Sequence, residues 1–228
     1  MLEITPAHIA PKETSYLQEY GPSLISNGYK IVPIRRGTKA PEGVTGWTKI
    51  DADHNQLERW ISKGYEGVGV LCKDNPGVDI DVLDEGVSRQ MVGAVLQRYP
   101  GGLVRVGKAP KTLLAYRTDK PFKKVRSCTY EDKDGNCHAV EILGNGQQYV
   151  AYAEHPDTLQ PYTWEGDGIF EVKANDLPVL HHEDALKIVT MFEDIAKEKL
   201  VFAGWVKVRE GTVGSTDASS SGEASGFI

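Results

Sequence analysis

Cysteine is scarce in this chain. Three occur in 228 residues, Cys72, Cys128 and Cys137, and no two are in CxxC spacing. An odd number without that spacing reads as reduced thiols in a cytosolic protein rather than a disulfide framework. A zinc site of Cys128, Cys137 and His138 is the weaker alternative. Long apolar runs are missing too: no stretch approaches the roughly 20 residues of a membrane span. The opening "MLEITPAHIAPKETSY" has neither a basic n-region nor an apolar h-region, so it does not read as a signal peptide. No GxxxxGK[ST] motif occurs, so P-loop hydrolysis is not indicated. Internal repeats are absent as well.

The composition is that of an ordinary globular protein, 40% hydrophobic and 25% charged. The net charge of -6 argues against nucleic acid only if charge is spread evenly, and it is not. Eight basic residues fall between positions 105 and 126: Arg105, Lys108, Lys111, Arg117, Lys120, Lys123, Lys124 and Arg126. Asp119 alone opposes them, which makes the segment +7 and the remainder -13. A local cationic strip of this kind binds phosphates even on an acidic protein. The plain alternative is a solvated strand pair with lysines on its outer face.

Residues 1–15 read as an extension, 16–205 as one domain, and 206–228, ending in "TVGSTDASSSGEASGFI", as a flexible polar linker or tail. Within the domain, 16–27 predicts a helix ended by Gly28, and 29–35 a strand. Residues 36–47 form a Gly-, Pro- and Lys-containing loop. Asp53 is placed to cap a helix over 54–63. "GVGVLC" (67–72) and "GVDIDV" (77–82) flank the turn signal "KDNP" and predict a hairpin. A helix over 88–99 follows, ended by "PGG". "LVRVG" and "KTLLAYR" read as two further strands. "KKVRSCTYE" and "CHAVEILG" around "DKDG" predict a second hairpin. "DKDG" lacks the later oxygen donors of a calcium loop, with Leu143 where the closing Glu belongs. A strand at 147–153 and a C-terminal helix at 183–199 complete the pattern. The fold class is α+β with a mainly antiparallel sheet.

The chemistry begins at "NPGVDIDVLDEG". Residues two apart on a strand share a face, so Asp79 and Asp81 project together while Val78, Ile80 and Val82 point into a core. Two like charges about 7 Å apart repel unless something compensates them. Hard cations such as Mg²⁺ bind one or two carboxylates together with substrate phosphates. The competing reading is the solvent face of an amphipathic strand. Glu141, in "HAVEILGNG", is a third acid within an apolar run. If its strand neighbours that of Asp79, three carboxylates converge as a ligand set for two-metal phosphoryl transfer. Cations for a triphosphate are at hand in Lys108 and Lys111 of "GKAPKTLL", in Lys39 of "GTKAP", and in Arg117 if it faces inward. His155, in "EHPDTLQPYTW", either contacts substrate or orders its loop.

"GYKIVPIRRGTKAPEGVTGW", "GVGVLCKDNPGVDIDV", "VRVGKAPKTLLAYR", "VEILGNGQQYVA" and "HPDTLQPYTW", in that order, resemble the N-terminal primase-polymerase domain of phage- and plasmid-type replication proteins. That domain belongs to the archaeo-eukaryotic primase superfamily. The resemblance spans about residues 16–170. It implies a small N-terminal α/β unit packed on an RRM-like sheet, and primer synthesis and extension from nucleoside triphosphates with Mg²⁺ or Mn²⁺. Asp79 and Asp81 match the family's metal-binding DxD, and Glu141 matches its later acidic ligand. "GKAPKTLL" lies where many members carry a triphosphate-binding histidine; Lys111 is the local substitute. Residues 39–41 ("KAP") and 155–156 ("HP") also match family positions.

The sequence therefore predicts a template-directed nucleotidyltransferase acting on a single-stranded DNA template and primer with NTP or dNTP. Many relatives continue into a helicase domain. The setting expected is the cytoplasm of a bacterial host, with a phage or mobile-element origin. Two other classes compete. A replication-initiation module that binds nucleic acid without catalysis would not need three acids. A DxD glycosyltransferase would need a larger sugar-nucleotide domain than the chain has room for.

Overall fold

The computed structural model describes residues 14–216. The expected N-terminal extension therefore lies, up to residue 13, outside the described residues, as does the tail beyond 216. The elements in chain order are α1 (Tyr16–Ser26), β1 (Ile31–Ile34), α2 (His54–Ser62), β2 (Gly67–Leu71), β3 (Gly77–Asp81), α3 (Glu85–Arg98), β4 (Leu103–Val106) and β5 (Thr112–Ala115). They continue with β6 (Val125–Arg126), β7 (Thr129–Glu131), β8 (Cys137–Leu143), β9 (Gln148–Tyr152), β10 (Thr163–Trp164), α4 (His182–Phe202) and β11 (Val206–Arg209). Among the described residues no helix is long and apolar enough to cross a membrane.

The helix ends follow local chemistry. Ser15 and Gln18 form a capping box on α1, each side chain taking the other's backbone N–H at 3.2 Å. Gly28, at φ 88°, carries the chain away in a conformation that favours glycine. Asp53 caps α2 as predicted, accepting from Gln56 N–H at 2.7 Å. Helix α3 starts three residues before the predicted position. The Asp84 carboxylate accepts from Val87 N–H at 2.9 Å and so caps it right after the DxD strand.

Among the described residues the strands form two sheets, and every strand pairing is antiparallel. The smaller has order β1-β2-β9. The larger runs β10-β4-β5-β3-β8-β7-β11, with β6 also paired to β8. This is the expected α+β architecture, an N-terminal α/β unit against an RRM-like sheet with a C-terminal helix. One apolar cluster joins α1 and α2 to the small sheet and reaches Leu113 and Leu143 of the large one. Another buries Val78, Ile80, Leu114, Val140 and Ile142 against α3 and α4. Burial of roughly 25 cal/mol per Å² of apolar surface on both faces holds the large sheet in place.

The predicted 67–82 hairpin does not form. β2 pairs with β1 and β9, whereas β3 pairs with β5 and β8. The turn at 72–74 is real, but it hands the chain from one sheet to the other. Beyond it, Asp74 and Pro76 carbonyls accept from Thr118 and Tyr116 N–H, so the chain joins the β5 side immediately. A turn signal fixes a reversal of direction, not which strand becomes the partner. The second predicted hairpin is present as β7–β8, its turn closed by Asp132, whose carboxylate accepts from Asp134 and Asn136 N–H at 2.9 Å.

β11 pairs with β7, and Thr212 and Thr216 bridge Arg126 and Phe122, so the sheet extends through the first part of the expected tail. All three cysteines are free thiols. His138 is fully buried and stacked on Trp205 at 4.2 Å. Its Nδ1 accepts from Leu83 N–H at 3.1 Å and its Nε2 lies 3.0 Å from the Asp132 carboxylate. Both ring nitrogens are engaged, which leaves none to join Cys128 and Cys137 on a metal.

Candidate active site

Strand β3 sits at the middle of the large sheet, and its alternation is the predicted one. Val78 and Ile80 are buried on the helix side, while Asp79 and Asp81 are part-exposed on the other. The β3–β8 register sets Asp79 directly opposite Glu141. Cβ atoms of directly paired residues stand about 4.5–5.5 Å apart. One row of residues therefore crosses five strands: Arg105 on β4, Leu113 on β5, Asp79 on β3, Glu141 on β8 and Arg126 on β6. Two facing acids are flanked by an arginine on each side.

Two of the three acids have a direct counter-charge. Lys111 Nζ is 2.5 Å from Asp81. Glu141 is held from two sides, by Lys124 Nζ at 2.5 Å and Arg126 Nε at 2.8 Å. Among the described residues Asp79 has no ion-pair partner of this kind. Desolvation pushes its carboxyl up to about 6, Asp81 and Glu141 push the same way, and Arg105 is the main opposing influence. Among the described residues no three His, Cys, Asp or Glu side chains stand grouped as a metal site. Asp81 is engaged by one cation and Glu141 by two, and each carboxylate keeps further lone pairs beyond those bonds.

Asp79 and Asp81 open onto a cleft of about 210 Å³ between the two sheets. Its other walls include Lys39, Lys108, Lys111, Arg105, Gln148, His155 and Tyr162. Lys39 is carried by the 36–47 loop, which is tied to β9 where Gln148 Nε2 donates to the Lys39 carbonyl at 2.7 Å. Lys108 pairs with Asp157 at 3.1 Å. Gly107 permits this wall to close: a Cβ there would fall 2.2 Å from the Tyr162 ring. His155 is 3% exposed, and its Nδ1 accepts from Asp157 N–H at 3.2 Å. Burial lowers its pKa, and the nearby Lys39, Lys108 and Arg105 charges add to this. A neutral His155 therefore carries its proton on Nε2.

Arg117 is not in this cleft. It lies beyond the end of β5, where the chain bridges Val179, and its Nε donates to the Leu177 carbonyl at 2.8 Å. The cationic strip is thus divided. Arg105, Lys108 and Lys111 line the cleft, Lys124 and Arg126 hold Glu141, and Arg117 fastens a strand end.

Arg105 was not singled out by sequence reasoning. It is 9% exposed, lies over the Tyr162 ring at 4.6 Å, and donates through Nη1 to the Val150 carbonyl of the small sheet. Burial pulls its pKa down, and Asp79 opposes that most strongly. Its signal was available: "LVRVG" sets one charge amid apolar strand residues, as "VDIDV" sets two.

Residues 22–179 match the family model for the bifunctional DNA primase/polymerase, N-terminal domain. The chain belongs to that family. No curated protein matches it. Every cleft residue named above lies inside the matched primase/polymerase region, and so do Lys124, Arg126 and Glu141. Helix α4, strand β11 and residues 211–216 lie outside it.

Proposed function

We propose that this primase/polymerase-family chain is a template-directed nucleotidyltransferase. It joins the 3'-hydroxyl of a primer, or of a first nucleotide, to the α-phosphate of an incoming nucleoside triphosphate and releases pyrophosphate. The observation that carries the reading is the cross-strand pair Asp79 and Glu141 with Asp81 on the same face of β3, and the cleft that Asp79 and Asp81 share with Lys39, Lys108, Lys111 and Arg105.

The donor set fits Mg²⁺ or Mn²⁺, since all three side chains offer hard carboxylate oxygens and Asp79 lacks a paired cation. Asp79 and Asp81 would hold the ion, with Glu141 as the further ligand. When bound, such ions lower the pKa of an attacking hydroxyl and stabilise charge on the leaving pyrophosphate. Lys108, Lys39 and Lys111 neutralise the triphosphate, and the buried Arg105 adds positive potential behind them. Lys111 exchanges its bond to Asp81 for phosphate oxygens as nucleotide enters. Neutral His155 donates its Nε2 proton to a substrate oxygen. The template is single-stranded DNA, and the protein works in the bacterial cytoplasm in replication of a phage or plasmid, alongside a helicase.

Primer extension tests this. The protein, a primed template, deoxynucleotides or ribonucleotides, and Mg²⁺ or Mn²⁺ should give extended product. The same mixture without primer should give short products if the chain also initiates. Asp79→Asn should abolish both. Absence of product under all these conditions overturns the enzyme reading. It would favour the second one, a DNA-binding initiation module whose acids stay neutralised by Lys111, Lys124 and Arg126.

A further inference from the structure

Glu141 is held by Arg126 of a very short strand and by Lys124, just ahead of that strand. β6 has only two residues, Val125 and Arg126, paired to Ile142 and Glu141 of β8. A two-residue edge strand has little stability of its own. Its other edge is covered by residues 211–216, which follow β11 and lie outside the family-matched region. Arg126 N–H donates to the Thr212 carbonyl at 2.8 Å, and Thr212 N–H returns a bond to the Arg126 carbonyl at 2.7 Å. Lys123 N–H donates to the Ser215 carbonyl at 2.8 Å. His182 Nε2 adds a bond to the Val213 carbonyl at 2.8 Å from α4.

The spacing of this segment suits a flush fit. A Cβ on Gly211 would lie 2.6 Å from the Arg126 carbonyl oxygen, and one on Gly214 would lie 2.6 Å from that of Lys123. Gly214 also has φ 61°. "GTVGST" thus brings its backbone against 123–126 with a glycine at each close approach. The two side chains that hold Glu141, Lys124 and Arg126, spring from the backbone so fastened.

We propose that residues 211–216 are a positioning strap: by pairing with the edge of β6 they set Lys124 and Arg126 on Glu141, and so fix Glu141 opposite Asp79. The strap touches no reacting atom. It acts through the clamp, and it links the segment C-terminal to the matched domain to the geometry of the acid row. The catalytic part of this inference rests on the nucleotidyltransferase reading. The geometric part does not.

The test uses the full chain with Thr212→Pro, which removes the N–H given to the Arg126 carbonyl. Val213→Ser serves as control, since that residue is 71% exposed and only its carbonyl is bonded. Thr212→Pro should lower kcat for primer extension about tenfold, with the nucleotide KM held within about twofold, because the triphosphate cations lie on the other side of Asp79. Val213→Ser should match wild type. In a background carrying both Lys124→Ala and Arg126→Ala, adding Thr212→Pro should change kcat by less than about twofold, since the clamp is already broken. A full undiminished loss in that background, or no loss in the wild-type one, overturns the proposal. If Thr212→Pro does not fold, Gly211→Ala takes its place in the same cycle.

A readout without turnover separates the two readings. The Arg126 Nε–H, bonded to Glu141, should exchange slowly with solvent in wild type and faster in Thr212→Pro. Equal exchange in both overturns the strap whatever the enzyme does. Should wild type extend no primer, the catalytic reading fails and exchange alone decides the strap.

Discussion

Asp79 and Glu141 are direct cross-strand partners, one on β3 and one on β8, on the cleft face of the sheet. Like charges in that position destabilise a sheet unless each is offset. Glu141 is offset by Lys124 and Arg126 in direct contact. Asp79 has no such contact; it is offset mainly by Arg105, on the far side of Leu113 in the same row, and less by Lys124. This asymmetry leaves Asp79 with the least compensated charge of the row, and a divalent cation would be the natural complement.

Asp79→Asn should stabilise the metal-free protein at neutral pH. The carboxyl is raised from 3.8 to about 6, so the folded state binds its proton more tightly than the unfolded state does. Stability associated with the protonated form is present below about pH 4 and is lost as pH rises through about 6. Asparagine stays neutral and escapes the loss. The variant should exceed wild type by on the order of 1–3 kcal/mol at pH 7 and by little below pH 4. Urea denaturation at both pH values checks this; a variant less stable at pH 7 contradicts it. Mn²⁺ should raise the melting temperature of wild type and not of the variant.

Arg105→Met should move the Asp79 titration upward, because it removes the main influence holding that carboxyl down. Carbon-13 NMR of the Asp side chains reads this directly, and an unchanged midpoint would refute it. The substitution also leaves the Val150 carbonyl without its donor and Tyr162 without its cation, so a stability loss of about 1–3 kcal/mol is expected.

Lys111→Met should have opposite effects on two ligands. With Asp81 relieved of its ion pair, Mn²⁺ should bind several-fold more tightly in the absence of nucleotide. With a cation of the proposed triphosphate site gone, the KM for nucleotide should rise. Calorimetric titration and extension kinetics measure the two. Weaker Mn²⁺ binding would mean that Lys111 does not compete for Asp81.

Arg117→Ala should leave the nucleotide KM within about twofold of wild type, because its guanidinium is tied to the Leu177 carbonyl outside the cleft. Loss of that bond should cost about 1 kcal/mol of stability. A large rise in KM with stability unchanged would return Arg117 to the site.

Period-two alternation in "VDIDV" was enough to put Asp79 and Asp81 on one face, and Asp53 marks its helix start locally. These are properties of single segments, in which backbone geometry and side-chain chemistry act over a few residues. Order of motifs along the chain was enough to suggest the family. What the sequence could not carry was partnership between segments. "KDNP" marks a turn, yet only packing of two separate cores decides that β2 and β3 enter different sheets. The facing of Asp79 and Glu141, the separation of Arg117 from Lys111, the buried Arg105 over Tyr162, and the docking of residues 211–216 on β6 all depend on register between strands far apart in sequence. Register is chosen by which arrangement buries the most apolar surface while satisfying every backbone group, and that choice exists only once the whole chain has come together.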